Sequence, residues 1–227
     1  MLSVVATEEW KFAHPGASIG LLEVSGVDNT LASTELEARK REVETLLQEK
    51  YQGYTRQDFL SIPVLLAYVK YYKRFSKTYH VLQQVESIAL KNRSLPTVSP
   101  LVDSNFIAEV DTLTLTAGHD VSKLKGSILI DIAQNDDQMV QMNNVNKELY
   151  AGDMVMKDEH GICCCIIYGQ DNFSPISPET SHALYVVYAP AGVPVEAVEA
   201  QLQAIEANIR LFAPLAVVEQ SRVITSS

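Results

Sequence analysis

Cysteine is scarce in this 227-residue chain, and its three copies are adjacent: Cys163-Cys164-Cys165. Neighbours in a strand point to opposite faces, so the trio cannot together close a tetrahedral metal shell or form sensible disulfides. It reads as a small-residue strand segment in a reducing compartment. No metal cage, phosphate loop or nucleophile elbow stands out, and neither metal nor cofactor is expected. Long apolar runs are missing too, none approaching the roughly 18 residues of a membrane span. The first dozen residues, MLSVVATEEWKF, hold a short apolar run followed by Glu8 and Glu9 rather than a basic leader. A cytoplasmic location away from membranes is therefore expected. Positive charge is short in the second part of the chain. Residues 1–90 carry ten Lys/Arg against eleven Asp/Glu, and residues 91–227 carry eight against seventeen, out of a net −10. A nucleic-acid-binding surface should attract phosphate, which that second part would repel unless its acids face elsewhere.

What is present is an ordinary globular balance, 47% hydrophobic and 20% charged, with enough residues for a substantial core. Ala17 to Val27 predicts a strand or strand pair, turning at Gly26 and Asp28-Asn29. Thr34 is a candidate N-cap for a helix whose apolar face is Leu36, Val43, Leu46, Leu47 and Tyr51, with Gly53 as its stop. Gln57 to Phe75 predicts a second helical region broken at Pro63, and Tyr79 to Lys91 a third. From Leu101 the texture becomes β-rich, with strands expected at Thr112–Thr116, Ser127–Ala133, Met154–Met156, Ile162–Tyr168 and Ala183–Tyr188. Turn signals separate them, among them Gly118, Gly152-Asp153 and Pro175 to Pro178. Pro194 opens a last helix with an apolar stripe at Val195, Val198, Leu202, Ile205, Ile209 and Phe212. The tail after Pro214 is weakly specified. With no repeat and no long linker, residues 1–227 are expected to form a single domain: strand and helices to 90, a β-rich core to 190, and a helix over 191–213.

Several short motifs recur in order. Pro96 precedes Val102-Asp103-Ser104-Asn105, then come Ala117-Gly118-His119-Asp120 and Gly126. Leu149–Asp153 and Asp158–Gly161 follow, and the last is Tyr168-Gly169-Gln170-Asp171 with Thr180. From Tyr79 to about Phe212 this series resembles the B3/B4 module of the phenylalanyl-tRNA synthetase β subunit, in the form that also occurs as a free-standing protein. The resemblance implies an α+β fold of layered, mostly antiparallel sheets with N-terminal helices and a C-terminal helix. It also implies a tRNA-interacting protein, with tRNA or an aminoacylated 3′ end as partner. The synthetase module hydrolyses tyrosine misattached to phenylalanine tRNA, with a histidine and the substrate's ribose hydroxyl positioning water on the ester. Two departures stand out: Asp131 lies where relatives usually have an arginine, and Ala183–Val187 lacks the acidic residue that helps recognise the tyrosine hydroxyl.

On this resemblance His119 is the candidate catalytic residue, and His80, Asn105, Asp131 and Thr180 are candidate binding residues. Each has a plainer reading: His119 as a turn histidine, His80 as a helix-start residue, Asn105 and Thr180 as local backbone partners. An unpaired Asp131 inside a sheet would point to a cationic ligand. Lys70, Lys73, Arg74 and Lys77, interleaved with aromatics, form a candidate nucleic-acid rim or simply a solvated helix end. Two functions follow: an editing-like hydrolase of aminoacyl esters or misacylated tRNA, and a non-catalytic module holding an amino acid or small cationic ligand.

Overall fold

The computed structural model describes residues 1–30 and 32–226. The elements, in order, are β1 (Val4–Ala6), α1 (Glu8–Ala13), β2 (Ser18–Ser25), α2 (Thr34–Lys50), α3 (Arg56–Phe59), α4 (Pro63–Lys73), α5 (His80–Lys91) and α6 (Pro100–Thr112). After α6 come β3 (Thr116–Asp120), a short 3-10 turn at 121–123, β4 (Ile128–Ile132), β5 (Gln138–Val140), β6 (Asn146–Glu148), β7 (Met154–Lys157), β8 (Ile162–Cys165) and β9 (Gly169–Gln170). The chain ends with β10 (His182–Ala189), α7 (Val195–Arg210) and β11 (Val217–Thr225).

Two main sheets result. One is antiparallel in the order β11-β2-β10-β3; the other runs β1-β4-β7-β8-β9 and is antiparallel except for the β1–β4 pair. A small β5–β6 hairpin stands apart. The architecture is the expected α+β one, with mostly antiparallel sheets, helices early in the chain and α7 near its end. β2 and β10 are buried along almost their whole length, which accounts for their continuous apolar runs. α7 packs on β2, β10 and β11 and against α6. Gly20 marks where α7 comes closest: a Cβ there would lie 2.6 Å from Val198 Cγ1.

Four expectations are corrected. The motif Val102-Asp103-Ser104-Asn105 lies within a thirteen-residue helix, α6, inside the segment read as β-rich. Pro100 at its first turn favours that helix, and Leu113 ends it in the left-handed region at φ 68°. The strand expected at Thr112–Thr116 begins at Thr116 instead, and Gly118 and His119 lie inside it rather than in a turn. The tail is a nine-residue edge strand, β11, bulged near Glu219. The α2 cap is Ser33, whose Oγ accepts from the Leu36 N–H at 3.1 Å.

Candidate functional site

A cavity of about 370 Å³ opens between α5, α6, β3, the end of β8, β9 and β10. The face of α6 turned toward it carries Val102, Asn105, Phe106 and Glu109. Their spacing of three, four and seven residues defines one side of a helix. Opposite lie Leu115 and, from β3, Thr116 to Gly118, with Cys164 to Ile166, and Tyr185 and Tyr188 from β10. Gly118 leaves the wall open, since a Cβ there would meet Ile176 Cδ1 at 2.7 Å. His80 and Gln84 from α5 and Met142 from the turn between β5 and β6 complete the lining.

The polar groups in this apolar setting are few. Glu109 is buried; its Oε1 accepts from the Thr116 N–H at 2.7 Å, and its other oxygen takes no hydrogen bond among the described residues. Burial raises its pKa to about 8, against the Thr116 hydrogen bond that lowers it. Asn105 reaches the Thr116 carbonyl with Nδ2 at 3.4 Å, while Oδ1 is buried without a partner among the described residues. The buried Tyr188 hydroxyl has no close hydrogen-bond partner among the described residues, its polar neighbour being the Cys164 thiol. Cys164 and Cys165 border the space, but burial pushes both thiols far above the ordinary range, so neither supplies a thiolate nucleophile.

The sequence-derived candidates divide between this cavity and elsewhere. Asn105 and His80 line it; His80 lies at the start of α5 with Nδ1 3.4 Å from the Tyr72 hydroxyl, and burial of its imidazole lowers its pKa. His119 is fully buried in β3 and does not line the cavity. Its Nδ1 lies 2.8 Å from Ser174 Oγ and 3.0 Å from Gln170 Nε2, and burial lowers its pKa to about 3. Gln170 stands between this ring and the cavity. Thr180 is held by scaffold contacts, donating to Asp120 Oδ2 at 2.7 Å and accepting from the Ser177 N–H.

Asp131 is buried but not unpaired. It forms an ion pair with Lys157 and accepts from Thr7 Oγ1 at 2.7 Å. Burial pushes its carboxyl up, but these partners outweigh it and hold the pKa below the usual aspartate value. The proposed demand for a cationic ligand there is thus met by Lys157.

The basic stretch divides as well. All four cations are exposed, but Lys70 and Arg74 border a different cleft. Lys77 lies over the stacked rings of Tyr150 and Tyr168, next to cavity residue Gly169.

Glu109 is the residue that sequence reading missed. Once α6 is recognised as a helix, Glu109 falls four residues beyond Asn105 on the same side, and that spacing was the available signal. Ser18 deserves mention because Gly16-Ala-Ser-Ile-Gly20 spells the glycine-flanked serine of a nucleophile elbow. It opens strand β2, buried, with no strand-to-helix turn to present its hydroxyl.

No curated protein matches the sequence. Among solved structures, an N-terminal fragment of the phenylalanyl-tRNA synthetase β-subunit from Pyrococcus horikoshii is similar, at a TM-score of 0.49 and 11% identity. The match covers 98% of this chain and 50% of that one, so the chain spans half the length of that fragment. The B3/4 domain description matches residues 66–212, from within α4 to just beyond α7. That span takes in α5, α6 and β3 to β10, the elements that enclose the cavity, and on it the chain belongs to the B3/4 domain family.

Proposed function

We propose that the protein is a binding module that holds a small, amino-acid-like ligand in this cavity. The ligand's cationic amine lies against Glu109 and Asn105, and its apolar part lies among Phe106, Ile176 and Tyr185. One observation carries the reading: a buried carboxyl group with one uncommitted oxygen lies a helical turn from the unpartnered amide oxygen of Asn105 in a mostly apolar space. With a pKa near 8 the Glu109 carboxyl keeps its proton at neutral pH, so the orphan acceptor is Asn105 Oδ1, which is costly until something donates to it. An ammonium group supplies several donors and the counter-charge that would let Glu109 ionise. The volume lies within the roughly 300–1,000 Å³ usual for small-molecule pockets.

The test is calorimetric titration of a panel of free amino acids and amino-acid esters, alongside analogues lacking the amine. Binding confined to amines, and lost in Glu109→Gln and Asn105→Ala, is the expected result. Equal binding of the desamino analogues would refute it.

Editing-like hydrolysis is the second reading, and the position of His80 favours it. His119 is walled off from the cavity, whereas the imidazole of His80 stands at its mouth, where a water could be oriented on an entering ester. Lys77 above Tyr150 and Tyr168 would offer a phosphate contact on the same side. Purified protein incubated with aminoacylated tRNAs should then release amino acid, with loss of the activity in His80→Ala but not in His119→Asn. Absence of hydrolysis with every tRNA tested rejects this second reading and leaves the first standing.

A further inference from the structure

The cleft bordered by Lys70 and Arg74 shares no lining residue with the cavity. It has a volume of about 290 Å³ and lies between α1, α4 and the turn at Pro190-Ala191. We propose that it binds a small oxyanion of the phosphate type.

Lys70 lies in the last turn of α4 and Arg74 caps its C-terminus in helical conformation four residues on, so both side chains leave that end on the same side. Neither forms an ion pair among the described residues, and no acid lines the cleft. The Arg74 guanidinium is already placed, 5.3 Å from the Tyr71 ring centre and 5.4 Å from that of Phe75. Guanidinium groups stacked in this way keep their N–H edges free to take an oxyanion. Cations in the last turn of a helix are also favoured by its dipole, and that would account for these two residues alone.

It does not account for His14. This histidine borders the same cleft, is 5% exposed, and its Nε2 has no hydrogen-bond partner among the described residues. Burial and the neighbouring Arg74 charge lower its pKa to about 4, against a hydrogen bond to Gly152. A bound anion answers all three groups, accepting from the two cations and offsetting the Arg74 charge that, together with burial, keeps the imidazole neutral.

The experiment is an NMR titration of the full chain with sodium phosphate, following the His14 ring signals, with sodium chloride at matched ionic strength as reference. Saturable movement specific to phosphate is expected. Lys70→Glu and Arg74→Glu should each weaken it by at least about ten-fold, and both residues are exposed, so folding should survive. Indistinguishable responses to phosphate and chloride would overturn the proposal. So would unchanged phosphate binding in the doubly substituted chain. A single-stranded RNA lacking a terminal phosphate separates the two sources of the anion. If it displaces phosphate, the cleft takes a phosphodiester backbone; if it does not, the cleft takes free phosphate or a monoester.

Discussion

Replacing Glu109 by glutamine should change the pH dependence of stability in a way that no surface substitution would. The folded chain holds the Glu109 proton to about pH 8, whereas an unfolded chain releases it near 4.5. Between those values the folded state binds more protons, so stability falls as pH rises. At about 1.4 kcal/mol for each pH unit between the two values, the gap amounts to roughly 5 kcal/mol, most of it already lost by pH 7. That is a large share of the ~5–15 kcal/mol typical of a domain.

Glutamine is close to the same size and keeps an oxygen to accept from the Thr116 N–H, but it does not titrate. The two proteins should therefore be similarly stable near pH 4.5. The variant should then draw ahead by roughly 3 kcal/mol at pH 7 and by more at pH 9. Urea unfolding at half-unit steps of pH measures this directly, and subtracting the two curves removes every other titrating group. Parallel curves would refute the reasoning, because they would mean that Glu109 has the same proton affinity folded and unfolded. A cationic ligand gives a further check, since by favouring the ionised carboxyl it should restore wild-type stability most at high pH.

Other substitutions test the scaffold. Lys40 is buried, and its Nζ donates to Asp103 at 2.8 Å, Glu37 at 2.8 Å and Thr97 at 3.0 Å. Lys40→Ala strands Asp103 and should cost about 3–5 kcal/mol in urea unfolding, with partial recovery when Asp103→Ala is added. His119 protonates in the unfolded chain near pH 6.5 but not until about 3 when folded. Its contribution is therefore intact above 6.5 and lost as pH falls toward 3, so His119→Asn should flatten the acid limb of the stability curve without weakening ligand binding. Gly20→Ala drives a methyl group into Val198 and should cost about 1–3 kcal/mol through overpacking beneath α7, read from the same unfolding curves.

The elements that were legible in the sequence are those in which one periodicity dominates. α5 and α7 each bury a regular apolar stripe, and β2 and β10 are mostly apolar because they are covered on both faces. α6 hid because the side it buries is mixed. Asp103, Ser104, Asn105 and Glu109 are buried among Leu101, Ile107, Ala108 and Val110, so no clean apolar stripe marked the helix. β11 hid for a related reason: as an edge strand only Gln220 along it is buried, and Glu219 falls at a bulge. Pairing that depends on a strand nearly two hundred residues earlier in the chain leaves no local trace.

The same burial explains why the ordered motifs identified the family better than they identified the site. A buried polar residue needs partners, and most of the motif residues spend theirs on the scaffold. Asp103 accepts from Lys40 and from the Val98 N–H, Asp171 accepts from both the N–H and hydroxyl of Ser174, and Asp120 accepts from Thr180. These contacts hold the loops that shape the cavity, and they leave no group over for a ligand. Residue type cannot separate such aspartates from a binding carboxylate; the count of partners can. By that measure Asp131, already paired with Lys157, is part of the scaffold. Among the described residues, the incomplete groups that face the cavity include Asn105 and Glu109, one named by the resemblance and one visible only after α6 had been placed.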